Sequence, residues 1–273
     1  MKIKLSKVSL NVEISGSDSA SEKTIFLFHG FTGSSDDWKQ IIPKLNNRFK
    51  IIAVDLIGHG ASDSTDDSSL YSTEAMVDQL SELIKHFTEK KIILAGYSMG
   101  GRLALSFAVK HPEMLQGLIL ESSSAGIKEE SLRNERVAQD ERIAGFIESH
   151  TLEEFIDYWM NIDLFKSQKY LPKEKLTDVR NSKLKNNKTG LANSLRGFST
   201  GRMPFLKDEI KKIKCRTLLI TGELDSKYTE INSEMVKVFP NSSHRIIKSA
   251  GHNTHLEQPA EFTGVINSFL KEF

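Results

Sequence analysis

The residues Gly96-Tyr97-Ser98-Met99-Gly100 join the apolar run KIILA to LALSFAVK, which places a serine where a strand turns into a helix. Such a tight turn strains the backbone of the serine and projects its hydroxyl. A bulky side chain two residues to either side would collide with the turn, so glycine at both places has a physical reason. The helix that starts there directs its positive end at the hydroxyl and favours negative charge developing beside it. A reactive serine also needs a base and a group to orient that base. Later in the chain Asp225 follows the apolar run TLLITG, and His252 follows HRIIK within Ala250-Gly251-His252. Both emerge at strand ends, where open parallel sheets place their sites. Glu223 competes for the acid role, but its earlier place in the turn turns its side chain away. His255 competes for the base role, but falls in the turn leading to the last helix. A developing oxyanion or enolate needs preorganised backbone donors. The loop His29-Gly30-Phe31-Thr32-Gly33 offers the Phe31 N–H opposite the N–H of Met99, with His29 itself read as a structural hydrogen-bonding residue.

Arg102 stands four positions after Ser98, one helical turn on and on the same side. Helical side chains lean toward the N-terminus, so its guanidinium is able to reach back over the serine. A guanidinium binds carboxylates through paired, charge-assisted hydrogen bonds, which points to an anionic substrate. The plainer reading is a salt bridge to a structural carboxylate.

The elements that must hold these residues follow from hydropathy. TIFLFH, KIIAVD, KIILAG, LQGLILE, TLLITG and HRIIK are short and nearly all apolar, as strands buried on both faces are. Thr73–His86 and Glu261–Phe269 repeat apolar residues at helical spacing and are expected to cover the sheet. The expected class is α/β, a mostly parallel sheet flanked by helices. Between about Ala125 and Phe205 the rhythm breaks into helical patterns without a convincing strand. The expected organisation is therefore a core of residues 1–124 and 206–273 with an inserted helical cap over 125–205, a separate helical domain being the other reading.

Of 273 residues 38% are apolar and 27% charged, enough for one sizeable core, and 37 basic against 36 acidic residues leave a formal charge of +1. No global field draws this chain to nucleic acid or to a membrane, so any anion binding is local. The single cysteine, Cys215, forms no internal disulfide, and no Cys/His spacing matches a zinc site. The N-terminal MKIKLSKVSLNVEI alternates polar and apolar residues without the apolar block of a signal peptide, and no stretch approaches the length of a spanning helix. The expectation is a cytoplasmic monomer.

HGFTG, the loop DLIGHGAS, GYSMGG, GELD and GHNTH together resemble the α/β-hydrolase superfamily over nearly the whole chain. That superfamily holds esterases, lactonases, carbon–carbon bond hydrolases, lyases and receptors, so the fold does not settle the reaction. GYSMGGR, LILESSSAGIKEE, SLRGFSTGRMP, GELDSKY and AGHNTHLE, with the arginines and tryptophan of the insert, resemble the 2-succinyl-6-hydroxy-2,4-cyclohexadiene-1-carboxylate synthases of menaquinone biosynthesis. The resemblance implies a cofactor-free lyase that eliminates pyruvate from a small tricarboxylate. It further implies that Ser98, made basic by His252 and Asp225, removes a ring proton while the Phe31 and Met99 N–H groups hold the oxygen that gains charge. Arg102, Arg136 and Arg180 are implied to hold carboxylates, and Tyr97 and Trp159 to shape the pocket. Tyr228 reads equally as a neighbour of the acid–histidine pair or as core packing. By spacing alone, each insert arginine also reads as a solvated helix-face residue. A carboxylesterase or carbon–carbon hydrolase for an anionic substrate, and a non-catalytic small-ligand receptor, are the alternatives.

Overall fold

The computed structural model describes residues 1–16, 23–45 and 48–273. The apolar runs form β3 (Thr24–Phe28), β4 (Lys50–Val54), β5 (Ile92–Tyr97), β6 (Leu115–Glu121), β7 (Arg216–Gly222) and β8 (Ser242–Ile247), preceded by β1 (Lys2–Lys4) and β2 (Ser9–Ser15). They pair in the order β1-β2-β4-β3-β5-β6-β7-β8. From β4 to β8 every pairing is parallel, and β1 and β2 add an antiparallel edge. The polar–apolar alternation of the N-terminal residues was the mark of those two edge strands, each with one face toward the core.

Every residue of β3 and β5 is buried, because helices cover both faces of the sheet. α1 (Thr73–Phe87) and α2 (Met99–Lys110) pack Met76, Leu80, Leu83 and Leu103 against Phe26, Phe28 and Leu94. On the opposite face Ile25, Leu27 and Ile93 meet Phe262, Ile266 and Phe269 of α9 (Pro259–Leu270). The period of two along β3 thus divides one strand between two cores. Ser72 caps α1 by accepting from the Ala75 N–H at 3.2 Å.

Between β6 and β7 the chain forms α3 (Glu130–Ser149), α4 (Leu152–Met160), α5 (Lys173–Lys183) and α6 (Lys188–Phe198), with no strand from residue 122 to residue 215. This insert has its own apolar cluster of Ala144, Ile147, Phe155, Ile156, Trp159 and Leu191, against which Phe31 of the β3 loop packs. α4 opens with a capping box, Thr151 and Glu154 each accepting from the other's backbone N–H. After β7 come α7 (Ser226–Met235) and, beyond β8, the short α8 (Thr254–Glu257). The registers Phe28↔Gly96, Tyr97↔Glu121 and Gly222↔Ile247 bring the ends of β3, β5, β7 and β8 to one edge of the sheet.

Candidate active site

Ser98 sits directly after β5 with φ +49° and ψ −104°, a conformation that costs free energy for any residue with a Cβ. The turn that enforces it leaves no room on either side. A Cβ at Gly96 would stand 2.3 Å from the Gly100 carbonyl oxygen, and one at Gly100 would stand 2.5 Å from the carbonyl oxygens of Phe28 and His29. The Ser98 N–H donates to the Glu121 carbonyl at 2.8 Å, which ties the turn to the end of β6. Across the edge, His252 Nε2 lies 3.0 Å from Ser98 Oγ, and its Nδ1 lies 2.6 Å from Asp225 Oδ2. Asp225 accepts at Nδ1, which therefore carries the proton, and leaves Nε2 free to accept from the serine hydroxyl. The other Asp225 oxygen caps α7 through the Tyr228 N–H. The two rivals are engaged elsewhere: His255 Nδ1 meets Glu121 Oε2 at 2.7 Å, and Glu223 accepts from the Ser249 N–H at 2.9 Å.

The loop after β3 closes over the serine, since a Cβ at Gly30 would stand 3.6 Å from the Ser98 Cβ. That brings the Phe31 backbone beside Ser98, while Met99 follows it as the first residue of α2. His29 braces the loop from below. Its Nε2 accepts from the Leu56 N–H at 3.0 Å, so its Nδ1 carries the proton and donates to the Gly30 carbonyl at 2.7 Å. Burial holds its pKa below the ordinary histidine value and keeps it neutral.

Arg102, one turn into α2, is 8% exposed, and its charge acts on Tyr228. Its Nη1 donates to the Phe198 carbonyl at 3.0 Å, and the guanidinium lies over the Phe198 ring at 5.0 Å. It makes no ion pair among the described residues. Burial brings its pKa down to about 10. Arg136 on α3 forks its Nε onto both oxygens of buried Asp140, at 2.9 and 2.8 Å, and acts electrostatically on Arg102 and on Tyr228. The Tyr228 ring centroid is 4.5 Å from that of His252, so this tyrosine borders the acid–histidine pair. Tyr97 lies on the other side of His252, at 5.5 Å between ring centroids. Trp159 stands edge-on to Phe31 at 5.1 Å, and its buried indole N–H has no partner among the described residues.

Arg180 differs from expectation. Its Nε and Nη2 pair with Asp157 at 2.6 and 3.0 Å on the exposed side of the insert. The phase of α5 is the reason: Val179, Asn181, Ser182 and Lys183 face a cavity of about 360 Å³ while Arg180 faces α4. Phe31, Tyr97, Phe165 and Gln168 line the same cavity. Lys39, Lys175, Lys183 and Lys185 also line it, as do Asp36, Asp37 and Asp178, and no sequence signal had separated Lys183 from the neighbouring surface lysines. The Lys183 Nζ donates to Thr32 Oγ1 at 2.9 Å and makes no ion pair among the described residues. Burial lowers its pKa, against a weaker pull upward from Asp37. Among the described residues, no group of three or more His, Cys, Asp or Glu is placed to hold a metal ion, and no helix is long and apolar enough to cross a membrane.

The α/β hydrolase fold family matches residues 23–259. A Bacillus subtilis (strain 168) protein named "Putative 2-succinyl-6-hydroxy-2,4-cyclohexadiene-1-carboxylate synthase" is 42% identical over 251 residues, which cover 92% of this chain and 91% of that protein. The structure of MenH from S. aureus superimposes with a TM-score of 0.92 at 34% identity, over 96% of this chain and 98% of that one. A thermophilic esterase from Thermogutta terrifontis, solved with malate bound, gives 0.87 at 27% identity over 100% and 98% of the two chains. With that turn, that strand order and those relatives, the chain belongs to the α/β-hydrolase fold family and, within it, to the 2-succinyl-6-hydroxy-2,4-cyclohexadiene-1-carboxylate synthases.

Proposed function

We propose that this chain is a lyase of menaquinone biosynthesis. It eliminates pyruvate from 2-succinyl-5-enolpyruvyl-6-hydroxy-3-cyclohexene-1-carboxylate to give 2-succinyl-6-hydroxy-2,4-cyclohexadiene-1-carboxylate. The observation that carries this reading is Arg102: a buried guanidinium whose partners are the Phe198 carbonyl and the Met203 sulfur, and whose charge acts on Tyr228, the neighbour of His252 in a serine–histidine–aspartate array. Burying a cation without a counter-charge is costly, and an anionic ligand is what offsets the cost. Arg136 keeps both terminal nitrogens out of its bond to Asp140, and Lys183, on the wall of the cavity that Phe31 and Tyr97 also line, supplies a third cation. In this reading three cations, Arg102, Arg136 and Lys183, meet three carboxylates. Arg180 joins them only if it leaves Asp157.

The chemistry then follows from the hydrogen bonds. His252 Nε2 takes the Ser98 proton, and Asp225 stabilises the imidazolium that forms. The serine oxygen removes the ring proton at C2, the freed electron pair forms the C2–C3 double bond, the C3–C4 double bond shifts to C4–C5, and the carbon–oxygen bond from C5 to the enolpyruvyl group breaks. Negative charge developing on the neighbouring carbonyl oxygen is held by the Phe31 and Met99 N–H groups. Pyruvate leaves as its enolate and takes up on carbon a proton equivalent to the one left on His252, which returns the array to its resting state. No bond forms between serine and substrate. Tyr97 and Trp159 shape the walls, and residues 125–205 act as a cap that covers the substrate. The chain needs no cofactor in this scheme, and we assign it to the cytoplasm as a monomer.

The second reading is a carboxylesterase for an anionic substrate, favoured by the likeness to the T. terrifontis esterase. Adding the enolpyruvyl substrate and following pyruvate through a coupled reductase, beside a panel of simple esters, separates the two. The lyase releases pyruvate stoichiometrically and turns over the esters slowly or not at all. Ester cleavage without pyruvate release supports the esterase.

A further inference from the structure

His252 must hold two short hydrogen bonds at once, yet it sits on a loop between β8 and α8 rather than on a strand or helix. The backbone N–H groups of both residues that flank it are tied to one side chain. The Gly251 N–H donates to Glu257 Oε2 at 2.7 Å, and the Asn253 N–H donates to Glu257 Oε1 at 3.3 Å. The bracket closes on itself, because the Glu257 N–H donates to the Asn253 carbonyl at 3.0 Å and Asn253 Oδ1 accepts from the Leu256 N–H at 3.0 Å. Glu257 is 9% exposed and makes no ion pair among the described residues. Lys175, whose charge acts on it, donates to the Leu256 carbonyl. A buried carboxylate without a cation is expensive, and a fold that needed only a helix end there would be served by a neutral acceptor. A carboxylate differs in offering an acceptor on each of two oxygens, one for each side of His252.

We propose that Glu257 is a positioning residue for His252, fixing the imidazole toward Ser98 and Asp225 through the backbone N–H groups of its neighbours Gly251 and Asn253. The proposal rests on the lyase reading only for its kinetic test. Its spectroscopic test stands without it, because the proton of a His252–Asp225 hydrogen bond as short as 2.6 Å is expected to resonate far downfield.

Glu257→Gln keeps size and one acceptor but turns an NH₂ toward one of the two N–H donors. The expected result is a kcat lower by roughly tenfold to a hundredfold, the scale of a sub-ångström misplacement, with KM within about twofold. The downfield resonance shifts or broadens while the circular dichroism stays native. Unchanged kcat and an unchanged resonance in Glu257→Gln overturn the proposal. If that variant does not fold, Glu257→Asp keeps both acceptors on a shorter arm and is read in its place, with partial loss of kcat and a displaced resonance expected. Failure of both to fold overturns the proposal, because the carboxylate would then hold up the fold rather than the ring. Absence of pyruvate release by the wild-type protein counts against the lyase reading alone, and the resonance still decides the role of Glu257.

Discussion

Replacing Arg102 with alanine separates a ligand-holding guanidinium from a structural one. In the free protein the group has one hydrogen bond to a carbonyl, a weak one to the Met203 sulfur, one aromatic face and, among the described residues, no carboxylate, so its loss removes a desolvated charge together with some packing. A structural ion pair broken by losing one buried partner would cost about 3–5 kcal/mol. At about 2–4 °C per kcal/mol for a chain of this size, that is a fall of at least roughly 6 °C in Tm. Here the two contributions oppose each other, and Tm should stay within about 3 °C of wild type. Catalysis should respond quite differently. A charge-assisted hydrogen bond to a substrate carboxylate is worth about 1.5–3 kcal/mol, so kcat/KM should fall by roughly 10- to 150-fold. Arg102→Lys should recover part of this, since it keeps the charge and loses the planar fork. The assay is initial-rate pyruvate release over a range of substrate, with Tm followed on the same samples. Normal kcat/KM in Arg102→Ala, or a large fall in Tm with normal kinetics, would refute the reasoning.

The other cations and the turn give further outcomes. Lys183→Met should raise KM by roughly tenfold, whereas Arg180→Ala should leave kinetics within about twofold, because only the first faces the cavity. Burial lowers the Lys183 pKa, so its charge is present at low pH and is lost as pH rises through that lowered value. KM should therefore climb at a pH below the ordinary lysine value, and Lys183→Arg should move that limb to higher pH. Ser98→Ala should lower kcat by about 10² to 10⁴, the usual range for an acid–base group, with an unchanged melting curve. Gly96→Ala drives a Cβ into backbone and should leave little folded protein by size-exclusion chromatography, while Gly264→Ala, in open space on α9, should gain up to about 1 kcal/mol in denaturant unfolding.

Much of this site was legible because its chemistry is local in sequence. Ser98 between two glycines, and Asp225 and His252 just past apolar runs, are fixed by strand ends, and parallel strands bring their ends together. Arg102 was legible for the same reason, one helical turn from the serine on a helix whose start the turn determines. What was not legible depends on how the insert leans on the core. Arg180 and Lys183 are three residues apart on α5, and neither spacing nor composition says which of them meets the cavity. Glu257 and Glu121 escaped notice because an acid at an element's end reads as solvated until burial shows otherwise. The edge strands β1 and β2 were written in the period-two pattern of residues 1–14, a pattern that also fits an unstructured polar leader.

The central claim is that Ser98 moves a proton and forms no bond to the substrate. Rapid-quench samples taken during turnover of the enolpyruvyl substrate, analysed by intact-protein mass spectrometry beside a pyruvate assay, test it most directly. Pyruvate should be released in step with substrate lost, and the protein mass should stay that of the unmodified chain at every time point. A substrate-derived acyl group on Ser98 that appears and decays at the rate of turnover would contradict it.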